Sequence, residues 1–286
     1  MDSSQYLTKA QQLLHAAHQY EQLGDVYYAT KLYRAAIKLS PDNCFPYQQL
    51  SKIYRQRREW KPTLYYSEEA IKRNTQEKII WNNLATAATA LSKWKLARIT
   101  LQKISAAVPA HTAQPIPIRI HTRLRRSEIV WALPLQQLCA KIISIPSPES
   151  GRRYGEILLY DWKSEERQII GKKAHHVFLE IERLKKSFYR TFSVLLHTDQ
   201  SSAIQKLAEL CRDQELGFEN WSTLQHQLVT QDENRAAEYH ESTSQENNLA
   251  YQLIAIAALE KRQVKKILKI WKLITLQEYS WLDEHE

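Results

Sequence analysis

The feature of this sequence that most constrains its fold is a repeat with a period of 34 residues near the amino terminus. When the sequence is shifted by one period against itself, large apolar side chains mostly align with large ones and small side chains with small ones. Within each repeat the aligned residues are three or four positions apart, as on one face of an amphipathic helix. The aligned series are Leu13, Tyr47, Trp81; Ala16, Leu50, Leu84; Ala17, Ser51, Ala85; Tyr20, Tyr54, Ala88; Val26, Trp60, Trp94; Ala29, Thr63, Ala97; Tyr33, Ser67, Leu101; and Ala36, Ala70, Ile104.

Each repeat is predicted to contain two antiparallel helices. The small residues of the third and sixth series lie where two helices cross closely, because larger side chains would push the axes apart. Pro41 ends the first unit, since proline cannot continue a helix interior. Residues 1–108 are therefore predicted to form three helix-turn-helix units. Their turns are predicted at Gly24-Asp25, Arg58-Glu59 and Ser92-Lys93.

This pattern resembles the tetratricopeptide repeat (TPR), whose period and order of large and small positions it shares over about residues 10–104. Thr75 stands where a proline closes the second unit in the family, and Arg58 and Ser92 replace the turn glycine. The resemblance implies a solenoid whose first helices line a concave groove for a peptide or helical segment of a partner. The expected fold is an N-terminal all-α TPR solenoid, then a small α+β domain and a C-terminal helix.

By this resemblance the groove is lined by side chains of the first helix of each unit. Amides there suit an extended peptide because each offers a donor and an acceptor to a backbone. Lys52 and Arg55 favour an acidic or carboxylate-bearing ligand. For each position, a solvated helix face is the alternative. The candidate groove residues are Leu14, His15, His18, Gln48, Gln49, Lys52, Arg55, Asn82, Asn83, Thr86 and Thr89.

The residues disfavour one functional class of the family. Members that bind the acidic C-terminal tail of chaperones carry a clamp of Lys, Arg and Asn side chains on their first helices. The corresponding residues in this chain lack the cations, so we expect a different ligand. They are Leu14, His18, Gln49, Ile79 and Asn83.

Beyond the repeats the pattern changes, with three prolines between residues 109 and 117. Residues 109–230 are predicted to form an α+β domain, residues 231–248 a polar linker or loop, and residues 249–286 a C-terminal amphipathic helix. That helix is expected to pack on the protein, and binding to a membrane surface or partner helix is the alternative. Strands are predicted at residues 116–120, 129–133, 141–145, 157–160 and 192–197, and helices at about residues 174–186, 201–213 and 249–279.

Residues 145–161 (IPSPESGRRYGEILLYD) are similar to segments that follow the repeats in uncharacterised bacterial repeat proteins, and this resemblance implies no activity. Arg152 and Arg153 in this segment follow Gly151. They are interpreted either as part of a loop that binds an anion or as a solvated turn before a strand, and the turn is favoured.

Charge is unevenly distributed along the chain, which has a formal net charge of +9. Residues 1–190 are basic and the last third is acidic. Either the acidic third lies against the basic part, or the basic part faces an anion such as nucleic acid. The internal arrangement, or simply a solvated surface, is favoured, and nucleic-acid binding ranks lower because no recognised nucleic-acid-reading motif is present. The residues that would contact phosphates are Arg119, Arg123, Arg125, Arg126, Arg152, Arg153, Lys172, Lys173, Lys185 and Lys186.

The sequence contains no Walker A loop, no Gly-x-Gly-x-x-Gly after a strand, no His-Glu-x-x-His and no Gly-x-Ser-x-Gly. His15 and His18 share a helix face but have no evident third ligand. Cys139 lies in an apolar run and is expected to be buried and unreactive. We therefore predict no catalysis, no cofactor and no metal.

The three cysteines are too far apart in sequence for a disulfide framework, and no 18-residue apolar run is present. The predicted location is the cytoplasm, with no membrane span. The leading interpretation is a non-catalytic interaction scaffold or adaptor that binds a peptide or helical segment of a partner protein. The alternatives are nucleic-acid binding through the basic surface of residues 1–190, and an inhibitor or immunity-type protein that neutralises a partner.

Overall fold

The chain divides into two units, Met1–Ala110 and His111–Glu286. None of the helices in the part of the chain that the structure describes is long and apolar enough to cross a membrane. The structure, a computed structural model, describes residues 3–73, 77–104, 114–121, 127–163, 167–170, 173–222 and 251–285.

The first unit consists of helices that follow the 34-residue repeat. They are α1 (Ser3–Gln22), α2 (Val26–Leu39), α3 (Cys44–Gln56), α4 (Trp60–Arg73), α5 (Lys78–Ala90) and α6 (Trp94–Lys103). The second helices of the three pairs begin at Val26, Trp60 and Trp94, which are equivalent positions of the repeat. Each first helix packs on the second helix of its own pair. The predicted array of helix-turn-helix units is confirmed.

The three predicted turns share one backbone geometry. Gly24, Arg58 and Ser92 have positive φ angles of 79°, 58° and 57°. In each turn the following residue donates its N–H to the carbonyl five residues earlier, as Lys93 does to Ala88 at 2.7 Å. Such a left-handed residue ends one helix and reverses the chain into the next. Arg58 and Ser92 adopt this geometry at a cost of roughly 1 kcal/mol each, because their Cβ atoms crowd the backbone.

The small residues at the helix crossings are fully buried, as predicted. Ser51 on α3 also shares a hydrogen bond with Ser67 on α4 at 2.7 Å, and it accepts one from Asn83 on α5 at 3.0 Å. Buried polar contacts therefore join three consecutive helices in addition to apolar packing. The side chains at the crossings, each 0% exposed, are Ala17, Ala29, Ser51, Thr63, Ala85 and Ala97.

The second unit begins with a closed barrel of five strands. The strands of this part are β1 (Ile116–His121), β2 (Ser127–Gln136), β3 (Cys139–Ile142), β4 (Ile157–Asp161), β5 (Arg167–Ile170), β6 (Lys173–His176) and β7 (Phe178–Lys185). The barrel order is β1-β2-β3-β4-β7, and β7 closes it by pairing parallel to β1. Alternate side chains fill the interior, where Ile118, Ile142 and Tyr160 are fully buried. The β5–β6 hairpin is inserted before the closing strand.

The rest of the second unit is a four-stranded sheet with two helices. Its elements are β8 (Arg190–Leu196), α7 (Ser201–Asp213), β9 (Gly217–Asn220), β10 (Gln252–Ala258), α8 (Lys261–Thr275) and β11 (Tyr279–His285). The strand order is β11-β8-β10-β9 with antiparallel neighbours, which is the ferredoxin-like βαββαβ arrangement. Both helices pack on one face, and the buried Trp271 indole donates to the carbonyl of Ala203 at 2.8 Å.

The predicted α+β class, four of the five predicted strands and the helix at Ser201–Asp213 are confirmed, whereas the strand predicted at residues 141–145 is β3, which spans Cys139–Ile142. The predicted helix at residues 174–186 is wrong, because these residues form β6 and β7. Glu and Arg favour helices locally, but Glu180 and Arg183 on β7 form ion pairs with Arg152 and Glu156. Strand pairing and these ion pairs override the local preference.

The predicted helix at residues 249–279 is only partly correct. The C-terminal helix is α8, but β10 precedes it and β11 follows it. The β10 sequence QLIAIAA is almost continuously apolar, and periodicity cannot distinguish such a central strand from a buried helix. The predicted linker at residues 231–248 lies outside the described residues.

The chain after β3 joins the barrel to the second face of the ferredoxin-like sheet. Ile145 packs against Ala255 and Ala257 of β10. Its backbone N–H donates to Oε2 of Glu219 on β9 at 2.5 Å. The pKa of Glu219 is raised to about 7, mainly by burial, which the Ile145 hydrogen bond opposes and the negative charge of Glu128 assists.

We predict that Ser92→Gly increases the free energy of unfolding by roughly 0.5–1 kcal/mol, because glycine adopts a positive φ without Cβ crowding. The measurement is chemical denaturation followed by circular dichroism. Ser40→Gly is the matched control, since Ser40 ends α2 with a φ of −140° and gains nothing from glycine. Equal effects of the two substitutions would contradict a strained turn at Ser92.

We predict that Glu219 makes the protein less stable as pH rises. Its folded pKa lies above its ordinary value of 4.5, so the folded state binds the extra proton and loses this advantage as pH rises from 4.5 through about 7. Glu219→Gln keeps an acceptor for Ile145 and should remove up to roughly 3 kcal/mol of that pH dependence. Denaturation at pH 5 and pH 8 measures the difference, with Glu209→Gln as control, because the Glu209 side chain is 41% exposed. An unchanged slope in Glu219→Gln would refute the assignment.

Candidate functional site

The first helices of the first two units carry polar side chains at equivalent positions of the repeat. His15 and His18 on α1 are exposed, Lys52 on α3 is exposed, and Gln48 and Gln49 are half-buried. His15 corresponds to Gln49 and His18 to Lys52, one repeat apart. These five residues are called the α1–α3 face. Leu14 and Arg55, also predicted for the groove, are half-buried beside it.

The two histidines of this face form hydrogen bonds along α1. Nε2 of His15 lies 3.1 Å from Nε2 of Gln19, and Nε2 of His18 lies 3.1 Å from Nε2 of Gln22. Both pairs have the i, i+4 spacing that brings side chains together on a helix. The other ring nitrogens and the amide oxygens remain as exposed donors and acceptors, which suit the backbone of a bound peptide.

Lys52 connects α3 to α1 through an ion pair. Its Nζ lies 3.3 Å from Oε1 of Glu21, and the hydroxyl of the buried Tyr33 donates to Oε2 of the same carboxylate at 2.9 Å. Burial, followed by the hydrogen bond and negative charge of Glu21, raises the pKa of Tyr33, so this phenol stays a donor. The charge of Lys52 is thus partly balanced within the protein.

The structure corrects the prediction for α5. Asn82, Asn83, Thr86 and Thr89 are between 0% and 3% exposed, so they do not line an open groove. Asn83 donates to Ser51, and the Thr86 and Thr89 hydroxyls donate to carbonyls one turn earlier in α5. The α5 sequence is dominated by Ala, Thr and Asn, whose small side chains allow close packing on several sides. The candidate surface is therefore limited to α1 and α3.

No group of three or more His, Cys, Asp or Glu in the described ranges could hold a metal ion. Cys139 is 2% exposed, which confirms its predicted burial. Burial raises the pKa of Cys139 and of Cys211 to about 12, so both are protonated thiols at neutral pH.

Three of the predicted basic residues, Arg152, Arg153 and Lys186, meet at a cavity in the second unit. Arg152 and Arg153 line it together with Arg183 and Lys186 from the end of β7 and the residue after it. The sequence does not predict Arg183 beside this loop, because residues 174–186 are predicted to form a helix. The apolar–charged alternation of FLEIERLK was the available signal for a strand.

The remaining basic candidates do not join this group. Arg119 on β1 donates to Oε1 of Gln168 at 3.0 Å. Lys173 on β6 and Lys185 on β7 are exposed. Four further candidates, Arg123, Arg125, Arg126 and Lys172, lie outside the described residues.

An exposed aromatic group at the α1–α2 turn was also missed by the sequence analysis. The rings of Tyr20 and Tyr28 stack with centroids 5.5 Å apart, and Tyr27 meets Tyr28 edge-on at 5.4 Å. These side chains are 39–72% exposed. Tyr20 had been assigned only a packing position in the repeat, and its exposure depends on the turn geometry.

Comparison with solved structures finds TPR domains at low sequence identity. The second TPR domain of Spaghetti (RPAP3), bound to the HSP90 peptide SRMEEVD, is 16% identical, with 36% of this chain and 90% of that chain covered and a TM-score of 0.34. The first TPR domain of the same protein is 18% identical, with coverages of 34% and 77% and a TM-score of 0.32. The Arabidopsis OM64 TPR domain is 14% identical, with coverages of 36% and 86% and a TM-score of 0.33.

No protein-family model and no curated protein matches the chain. The three structures described cover about a third of it, so the resemblance of residues 145–161 to segments of bacterial repeat proteins gains no support from them. The type of repeat in the first unit follows from its own geometry. Its helix pairs recur every 34 residues, its turns share one geometry, and its crossings bury alanine-sized side chains, so residues 3–104 contain three tetratricopeptide repeats.

Proposed function

We propose that the TPR array is a non-catalytic docking scaffold that binds an extended segment of a partner protein on the α1–α3 face. The observation that carries this proposal is the set of exposed hydrogen-bonding side chains at equivalent positions of two adjacent helices, His15 and His18 on α1 and Lys52 on α3. A repeating set of donors and acceptors matches the repeating amides of an extended peptide.

The rigidity of this surface supports the proposal. The two helices are fixed by the fully buried Ala17 and Ser51, and the ion pair between Lys52 and Glu21 links them directly. A surface that is ordered before binding places most of the conformational cost on the ligand, which favours affinity.

The chemistry of the face favours backbone recognition over charge recognition. Glu21 already neutralises part of the Lys52 charge, so an acidic ligand would have to compete with this carboxylate. We therefore propose neutral hydrogen bonds as the main contacts, and partner binding should depend only weakly on salt. Nucleic-acid binding through phosphates would instead fall steeply with salt concentration.

The test uses a photo-crosslinking amino acid at His18 or, as control, at the exposed Lys31 on α2. We expect position 18 to crosslink to a protein in nuclease-treated lysate and position 31 not to do so. After the partner is identified, His15→Ala with His18→Ala should weaken its affinity about thirtyfold, since two hydrogen bonds of roughly 1 kcal/mol each are lost.

Lys31→Ala with Lys61→Ala is the matched control variant, because both lysines are exposed on second helices. It should bind the partner as the unmodified protein does. Partner loss on nuclease treatment, or equal affinities of the two double variants, would reject the α1–α3 face as the docking surface.

A further inference from the structure

A cavity of about 250 Å³ lies in the second unit between the chain around the 3-10 helix Pro148–Ser150 and the end of β7. Thr191 of β8 and His285 of β11 complete its wall, so the barrel and the ferredoxin-like part both contribute. At roughly 30 Å³ per water molecule, the cavity has room for about eight waters. It is therefore larger than an inorganic anion and small for a macromolecular ligand.

The charges around the cavity are mostly positive. Four cations line it, Arg152, Arg153, Arg183 and Lys186, and Glu156 is the single acidic residue among the described lining residues. Arg152 forms an ion pair with Glu180, which does not line the cavity. After both carboxylates are counted, an excess of two positive charges remains, which favours an anionic ligand.

Two of the cations are held in place by internal contacts. Nε of Arg152 donates to Glu180 at 2.8 Å, and Nη1 of Arg183 donates to Glu156 at 3.0 Å and to the Gly151 carbonyl at 3.1 Å. Glu156 and Glu180 are buried, with side chains 1% and 4% exposed. Both of these Arg183 hydrogen bonds are donated by Nη1, and Nε and Nη2 have no hydrogen bond among the described residues. The Arg183 guanidinium is therefore held in place and still has N–H donors without a hydrogen-bond partner among the described residues.

The other two cations are not neutralised. The side chains of Arg153, which is half-buried, and of Lys186, which is exposed, form no ion pair or hydrogen bond within the described ranges. Removing a guanidinium from water without a partner costs free energy, which an anion in the cavity would recover. Ser187 adds a hydroxyl that accepts from the Tyr189 N–H at 3.1 Å and still has its own proton to donate.

We propose that this cavity, which we name the Arg153 pocket after its lining residues Arg153, Arg183, Lys186 and Ser187, binds the phosphoryl group of a small organic phosphate. Converging guanidinium, ammonium and hydroxyl donors match the several oxygens of a phosphoryl group better than the two oxygens of a carboxylate. The volume left beside the phosphoryl group holds a small organic body. This inference does not depend on the function proposed for the TPR array.

The test is calorimetric titration of the full chain at low salt with glycerol 3-phosphate, inorganic phosphate and citrate as separate probes. Saturable binding of glycerol 3-phosphate below about 10 mM is expected, tighter than that of inorganic phosphate. Arg153→Gln with Lys186→Gln should weaken binding at least tenfold, because two charge-assisted hydrogen bonds are lost. Both substitutions are at side chains without internal partners among the described residues, so circular dichroism should be unchanged.

Lys185→Gln is the matched control, since this exposed lysine precedes Lys186 but does not line the cavity. It should bind glycerol 3-phosphate within twofold of the unmodified protein. The proposal is overturned if the unmodified chain does not bind glycerol 3-phosphate, if citrate binds more tightly, or if the double variant and the control behave alike. The proposal is also overturned if an oligonucleotide binds tightly and only its binding, not that of glycerol 3-phosphate, is weakened by the Arg153 and Lys186 substitutions. That result would assign the cations to a nucleic-acid surface.

Discussion

Close helix packing at residues no larger than threonine is the constraint on which the first unit depends. A bulkier side chain at Ala17, Ser51 or Ala85 would separate the axes of paired helices, and the separation would recur along the array because each pair packs on the next. The left-handed turn residues support the same packing, since each of them ends the first helix of a pair and reverses the chain into the second. Spacing, turns and crossings are consistent with one another, which is typical of a sequence that specifies a single fold.

The second unit depends on buried carboxylates instead. Glu128 accepts from the backbone and hydroxyl of Ser147, Glu219 accepts from Ile145, and Glu156 and Glu180 hold two arginines. All four act on or near the chain between β3 and β4. A buried carboxylate without such partners would cost several kcal/mol, so these contacts fix the path of that segment. The Arg153 pocket owes its shape to them.

The sequence was informative where local pattern and tertiary packing agree. The repeat predicted the helix starts at Val26, Trp60 and Trp94, because each begins a periodic stripe that the fold buries. The prediction is wrong at β7, whose Glu and Arg residues favour a helix unless their partners in the β3–β4 connection are known, and at β10, whose apolar run has no period. It also failed at α5, where burial of Asn82 and Thr86 depends on neighbours that the pattern does not specify.

The burial of α5 limits the length of the segment that the proposed α1–α3 face could contact. Two helices of about 10 Å diameter side by side give a surface near 20 Å across, and an extended chain advances about 3.3 Å per residue. A segment that crosses both helices therefore spans about six residues. In the proposed docking mode, binding of so short a stretch would depend on main-chain shape and a few side chains, so segments of many different sequences would fit it.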